Sequence, residues 1–263
     1  MFEFHQDRQR YFDMQYLNAK EYLIPFIEAK QSITQHMRVL DIGCGEGGVL
    51  KAFIEKGCVG VGVEFDQLRL ELGAEWLKQE LANGQLSFIS KDIYEVNAQQ
   101  ELGGLFDLII LKDVIEHIHD QAKLIGWMQH LLKPGGSIFF GFPPWQMPFG
   151  GHQQICKNKW LSKLPYYHLL PRPIYRFILK SAHENVAELM EIRDTKISIE
   201  QFEKIVKDKQ YVITHQLHYL INPIYKWKFN VNPRKQFYWL SSIPYLRNYF
   251  TTCVYYLLKP ISR

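Results

Sequence analysis

The sequence predicts an α/β fold: an open, doubly wound, mostly parallel sheet carrying helices on both faces. Three observations predict it. An apolar run ends in Asp41, glycines follow at Gly43, Gly45, Gly47 and Gly48, and a helix-like segment leads to a second apolar run ending in Glu64. Apolar runs of strand length then alternate with helical patterns up to residue 142, the order that builds βαβ units. Finally, Lys133-Pro134-Gly135-Gly136 stops a helix and turns the chain into another apolar run.

Bulk properties agree with a globular enzyme-sized chain. It has 263 residues, 47% hydrophobic and 22% charged, enough for one α/β domain with an insertion. A net charge of +4 is compatible with an anionic partner but too small to argue nucleic acid by itself. Cys44, Cys58, Cys156 and Cys253 form no C-x-x-C pair, which predicts reduced thiols in a cytoplasmic protein. The opening stretch MFEFHQDRQRYF lacks an apolar signal core. No run approaches the roughly 18 apolar residues that span a bilayer.

The elements follow in chain order. Residues 2–30 place Tyr11, Phe12, Tyr16, Tyr22, Leu23 and Phe26 at roughly helical spacing, which predicts a helix covering a pocket or packed on the sheet edge. Arg38–Ile42 is the first strand. The glycines after it permit a tight turn and close approach to a ligand, because they lack Cβ and tolerate positive φ. Gly48–Lys56 is a helix, and Val59–Glu64 is a strand apolar on both faces, its terminal acid placed to accept hydrogen bonds from ribose hydroxyls. The loop departs from the dinucleotide pattern G-x-G-x-x-G by carrying Glu46, an acid that suits a pyrophosphate poorly and a ligand with a cationic end better. A glycine-rich turn without a ligand is the alternative.

This stretch resembles motif I, D-x-G-x-G-x-G, of the class I S-adenosylmethionine-dependent methyltransferases (the type 11/23-like group), matched at Asp41, Gly43, Gly45 and Gly47. FDLIILKDVIEHIHD, from Phe106 to Asp120, and LLKPGG before the fifth strand are similar to further signatures of that group. The resemblance covers residues 38–142 closely and the terminal strands loosely. It implies a Rossmann-like, seven-stranded sheet with an antiparallel last strand, S-adenosylmethionine as cofactor, and methyl transfer as the reaction. The cofactor residues it implies are Asp41, Gly43, Cys44 and Gly45 in the loop, Glu64 and Phe65 after the second strand, Asp92 on the adenine amino group, Ile93 on the adenine ring, and the Lys112 backbone near the methionine part. For Asp92 a helix N-cap or a solvated loop acid is the alternative.

Gln67–Leu81 predicts an amphipathic helix, Leu86–Ser90 the third strand and Phe106–Lys112 the fourth. Gln121–Leu132 is a helix, begun near His119 and Asp120, and Ser137–Phe142 the fifth strand. Then the pattern breaks at Pro143, Pro144, Pro148, Gly150 and Gly151. An aromatic and basic insertion follows, placed to act as a lid over the strand ends; Trp145 and Arg172 are its expected acceptor contacts, with Tyr11 from the N-terminal cover. Ser198 and Gln201 have capping-box spacing at the start of a helix over Thr195–Lys209. Tyr211–Ile221 alternates as the sixth strand, 222–246 is irregular and aromatic, and Thr251–Leu258 is the last strand. The expected organisation is one domain over 1–263: cover 1–37, cofactor half 38–142, acceptor lid 143–194, and the C-terminal half of the sheet 195–263.

Transfer from a sulfonium needs alignment and, for a hydroxyl, a proton acceptor. His152, after Gly150-Gly151, is the first candidate base and His117 the second; the alternatives are a histidine holding the lid and a histidine packed in its loop. Gln153 is placed to orient substrate hydroxyls. No metal cluster is visible in the spacing, and none is expected. The run PP-x-x-x-PFGGHQ resembles bacterial methyltransferases of cell-surface glycan or lipid-linked precursor synthesis. The expected acceptor is therefore a small molecule, glycan or lipid-linked compound, with a quinone-like ring also compatible. RNA predicts a continuous basic stripe rather than charges gathered in one insertion. Two alternatives stand beside this reading: a non-catalytic nucleoside-binding module, and weak association with the inner membrane surface through residues 160–180 and 222–260.

Overall fold

One sheet organises the chain. The structure, a computed structural model, describes residues 7–97 and 100–261, so residues 1–6 of the expected cover and the last two residues of the C-terminal half lie outside the described residues. The strands are β1 (Arg38–Ile42), β2 (Val59–Glu64), β3 (Leu86–Ser90), β4 (Phe106–Lys112), β5 (Leu132–Phe142), β6 (Tyr211–Ile221), β7 (Arg234–Lys235) and β8 (Cys253–Pro260). Their order is β3-β2-β1-β4-β5-β8-β6-β7. Pairing is parallel from β3 through β5, and β8 runs antiparallel between β5 and β6. The described residues thus contain eight strands, not seven. The extra one, β7, is a two-residue edge strand on β6, too short to carry a period-2 signal in an aromatic stretch.

Helices cover both faces. On one side lie α1 (Arg8–Asn18), continued through a π-turn into α2 (Ile24–Glu28), then α3 (Gly48–Ile54), α4 (Gln67–Trp76) and α5 (Lys78–Ala82). α6 (Gln121–Met128) lies on the other, with α7 (Arg172–Ser181) and α8 (Val186–Asp194) in the insertion and α9 (Ile199–Asp208) after it. Short helices α10 (Tyr225–Phe229), α11 (Tyr238–Ser241) and α12 (Leu246–Phe250) fill the stretch before β8. The predicted helix 67–81 is broken at Leu77, whose φ of −111° and ψ of 27° interrupt it. β5 starts at Leu132 rather than Ser137, because the Lys-Pro-Gly-Gly turn is absorbed as an irregularity in its pairing with β4. Ser198 does cap α9, accepting from Gln201 N–H at 3.1 Å, while the Gln201 side chain reaches Gln121 instead of closing the box.

The alternation of the strands divides the core in two. Leu40, Ile42, Ile109 and Leu111 face Leu124, Met128, Phe202 and Val206 of α6 and α9. Val39, Leu108 and Ile110 face Phe12, Ile27, Leu50 and Phe53 of α1, α2 and α3. The insertion has a separate small core built on Cys156, Tyr167, Tyr175, Leu179, Leu189 and Met190. At about 1.5–3 kcal/mol for each fully buried large apolar side chain, it is held far less strongly than the sheet. Strand order reverses between β1 and β4, and in open α/β sheets the crevice beyond the carboxyl ends at such a point is where ligands bind.

Candidate active site

A cleft opens at that reversal. It holds roughly 460 Å³, counted out to its open mouth. Asp41, Gly43 and Cys44 contribute from the end of β1, Lys112 and Asp113 from the end of β4, and Tyr11 from α1. Gly43 sits at φ +73°, and a Cβ there would lie 2.5 Å from the Val114 side chain, so this position needs glycine. Amides of Gly43 and Cys44 both donate to the Val63 carbonyl, which ties the loop to β2.

The charges in the cleft are arranged unequally. Asp41 is 2% exposed, and its Oδ2 has no hydrogen-bond partner. Burial raises its pKa to about 8, with Lys112 pulling it down and Glu64 pushing it up. Next to it Lys112 pairs with Asp113: burial opposes the ammonium, but the Asp113 carboxylate holds it above the usual lysine range. Lys112 in turn holds Asp113 low against its own burial. Lys228 of α10 is half-buried near the same pair, and desolvation lowers its pKa to about 8.

Glu46 is also buried, but its charge is already matched. Arg69 of α4 grips it through two parallel bonds, Nε to Oε1 at 3.1 Å and Nη2 to Oε2 at 2.9 Å, and Arg8 adds a third contact. The loop acid expected to face a cationic ligand is therefore spent on Arg69. Asp41 is the carboxyl left to do so. Glu64 accepts from the amides of Gly45, Phe65 and Asp66 at 3.0–3.1 Å, pinning the loop while keeping lone pairs for hydroxyl donors.

The other expected residues fall into three groups. Phe65 is 80% exposed beside Glu64, and Asp92 caps the turn Ile93–Glu95 by accepting from Tyr94 N–H, the alternative given for it. Ile93 is buried in the core. None of these lines the cleft, although β2 and β3 bring them to the neighbouring strand ends. Trp145 and Gln153 lie inside the insertion rather than on its surface. Trp145 packs edge-on against His168 at 4.7 Å, and the Gln153 amide donates to the carbonyl of Pro148 and to His168 Nδ1. Arg172 stands outside, paired with Asp194. His117 and His152 do come together, with ring centroids 4.9 Å apart. They sit beside Asp113, which acts electrostatically on both rings. Against the expectation of no metal cluster, Glu116 joins them in a group spaced for a metal ion, a closeness that sequence separation hid. Sequence reasoning also missed Arg69, which lines the cleft, and Lys228, whose ammonium lies 5.7 Å from the centroid of the Tyr11 ring: each arrives on a long side chain from a helix whose pattern says nothing of its target.

The residues present fit S-adenosylmethionine. A buried carboxyl oxygen without a partner suits its ammonium, the glycine loop allows close approach, and Glu64 at the end of β2 keeps lone pairs for hydroxyl donors.

A family model described as a methyltransferase domain matches residues 13–172. The ubiquinone biosynthesis O-methyltransferase of Acinetobacter baumannii (strain ACICU) is 29% identical over 103 residues, 39% of this chain and 42% of that protein. The chain thus spans about two fifths of the length of the curated relatives it matches. A S-adenosylmethionine-dependent methyltransferase from Clostridium acetobutylicum superposes with a TM-score of 0.57 at 14% identity, covering 94% of this chain and 92% of that one. The magnesium protoporphyrin IX methyltransferase of Synechocystis with bound SAH gives 0.56 at 14% identity, covering 99% and 89%. At that identity the likeness is one of fold.

Proposed function

Because this chain belongs to the methyltransferase-domain family, we propose that it transfers a methyl group from S-adenosylmethionine to an oxygen of a small-molecule, glycan or lipid-linked acceptor. The observation that carries this reading is the Asp41 carboxyl, buried without a partner in the cleft where the strand order reverses. Bound there, the cofactor supplies a methyl group on a sulfonium, already a good leaving group. The chain's own residues then have three tasks. Asp41 holds the ammonium and Glu64 the ribose, which fixes the methyl in line. The Lys112–Asp113 pair, which lines the cleft, is the wall we assign between cofactor and acceptor. His117 and His152, whose rings lie 4.9 Å apart beside Asp113, are the side chains we assign to the acceptor hydroxyl. The choice of oxygen is supported by the O-methyltransferases among the relatives.

A second reading adds a membrane surface to the same chemistry. Trp160, Phe177, Tyr238, Trp239 and Tyr245 are all strongly exposed, and the Tyr166 hydroxyl donates to the Tyr249 carbonyl, tying the insertion to the 238–250 stretch. Such rings, beside Arg172 and Arg176, suit the boundary of a bilayer that presents a lipid-linked acceptor. Among the described residues no helix is long and apolar enough to cross a membrane.

Calorimetric titration with S-adenosylhomocysteine tests the first reading. Saturable binding by wild type, lost in both Asp41→Ala and Glu64→Ala, is expected. A well-folded wild type that binds nothing would overturn it.

A further inference from the structure

We propose that Glu116, His117 and His152 form a binding site for a first-row divalent cation at the acceptor end of the cleft. One ligand atom from each residue lies within 4.8 Å of the other two. The residues come from two turns that the sheet brings side by side. Glu116 and His117 belong to the turn Ile115–His117 after β4, and His152 follows β5, which pairs with β4.

Glu116 is the second, independent observation. It is 6% exposed, and neither carboxylate oxygen has a hydrogen-bond partner on another residue. A carboxylate buried in that state is costly, and a protonated one would still need an acceptor for its O–H. A cation held between Glu116 and the two imidazoles gives the buried carboxylate the partner it lacks. Ligand atoms at this spacing are close enough to share one ion at bond lengths of about 2.0–2.2 Å once their side chains turn toward it. Two imidazoles and one carboxylate are the ligand set of an open site, with three protein ligands and at least one free position. The nitrogen donors favour Zn²⁺ or Co²⁺ over Mg²⁺, Ca²⁺ or Mn²⁺, which prefer oxygen-rich shells. Asp113, beside both His152 and Glu116, adds negative charge that favours a cation.

The site stands on these residues alone; its role rests on the methyl-transfer reading. An acceptor hydroxyl taking the free position gives up its proton to solvent more readily than an unbound one. Its oxygen lone pair then forms the new C–O bond as the methyl–sulfur bond breaks, and that electron pair stays on sulfur. Methylated acceptor, S-adenosylhomocysteine and one released proton balance the step. In this scheme His117 and His152 position the cation and neither acts as the free base.

The test uses the full chain after chelator treatment. Co²⁺ alone is titrated and followed by its visible absorption, with wild type, Glu116→Gln and His152→Gln in parallel. S-adenosylhomocysteine binding is measured separately on each protein. We expect saturation at a single equivalent in wild type and at least tenfold weaker binding in both variants, while S-adenosylhomocysteine binding is retained. His152 is only half-buried, so its variant stays informative if Glu116→Gln folds poorly. Wild type that binds S-adenosylhomocysteine but not Co²⁺, or variants that bind Co²⁺ as wild type does, would overturn the site. Saturable Co²⁺ binding that the variants lose, in a chain that ignores S-adenosylhomocysteine, would uphold the site and remove the methyl-transfer reading instead.

Discussion

At the scale of single residues, two buried carboxylates at one strand end, Asp41 in β1 and Glu46 in the loop after it, have opposite fates. Glu46 is neutralised by Arg69, whereas Asp41 has an oxygen with no partner. Asp41 was legible as a motif residue, but its lack of a partner was not, because that depends on which long side chains arrive from other elements. Its pKa is raised from 3.8 to about 8 by burial. Folding therefore takes up a proton between those values. The protonated carboxyl's contribution is fully present below 3.8 and is lost as pH rises through about 8. Urea midpoints of wild type should fall across that window relative to Asp41→Asn, and saturating S-adenosylhomocysteine, whose ammonium favours the ionised form, should shrink the difference. Parallel midpoints in the two proteins would refute this account of Asp41. Glu46 gives the complementary case. Arg69→Met leaves a buried carboxylate with only Arg8 and should cost about 2–4 kcal/mol in urea unfolding. Adding Glu46→Gln should restore most of that loss, since the stranded charge is then gone.

At the scale of elements, the parallel half of the sheet was legible and the insertion was not. β1, β2 and β4 begin and end where the apolar runs do, because strands buried on both faces are written as continuous apolar segments, and the edge strand β3 keeps its bounds with only Leu86 buried. The insertion, 143–194, has no such period. Its helices α7 and α8 pack on a core of six residues, and its contacts are irregular polar ones. His168 is central to them: Nδ1 accepts from Gln153, Nε2 donates to the Trp145 carbonyl, and Arg193 donates to its own carbonyl. Burial first, and Arg193 in support, lower its pKa to about 4 despite the Trp145 carbonyl. A histidine depressed in this way stabilises above its unfolded pKa, about 6.5, and that stability drains away as pH falls toward 4. Limited proteolysis should therefore nick the insertion faster at about pH 5 than at about pH 7, while the sheet stays protected. His168→Gln should remove most of this pH dependence. Equal pH dependence in the variant would place the weak point elsewhere.

At the scale of the whole molecule, the sequence showed a cofactor half and an aromatic half, but not that the second would leave so many rings in solvent. Trp160 and Tyr238 are 87% and 86% exposed, and Phe177, Trp239 and Tyr245 are also mostly outside. Rings of this kind are costly to leave in water in such numbers, and contiguous apolar surface generally marks an interaction site. Periodicity gave no warning: short aromatic stretches between turns read equally well as buried packing or as surface, and only the burial of individual side chains separates the two. A bilayer interface suits tyrosine and tryptophan because one end of each ring system is apolar and the other polar, while Arg172 and Arg176 favour anionic headgroups. Wild type should therefore float with anionic vesicles at low salt and stay behind with neutral ones. A Trp160→Ser/Tyr238→Ser/Trp239→Ser variant should lose flotation several-fold while binding S-adenosylhomocysteine as before, because none of the three lines the cleft. Retained flotation in that variant would assign any membrane affinity to charge alone. Failure of wild type to float would leave the exposed rings to a protein partner and the acceptor to solution.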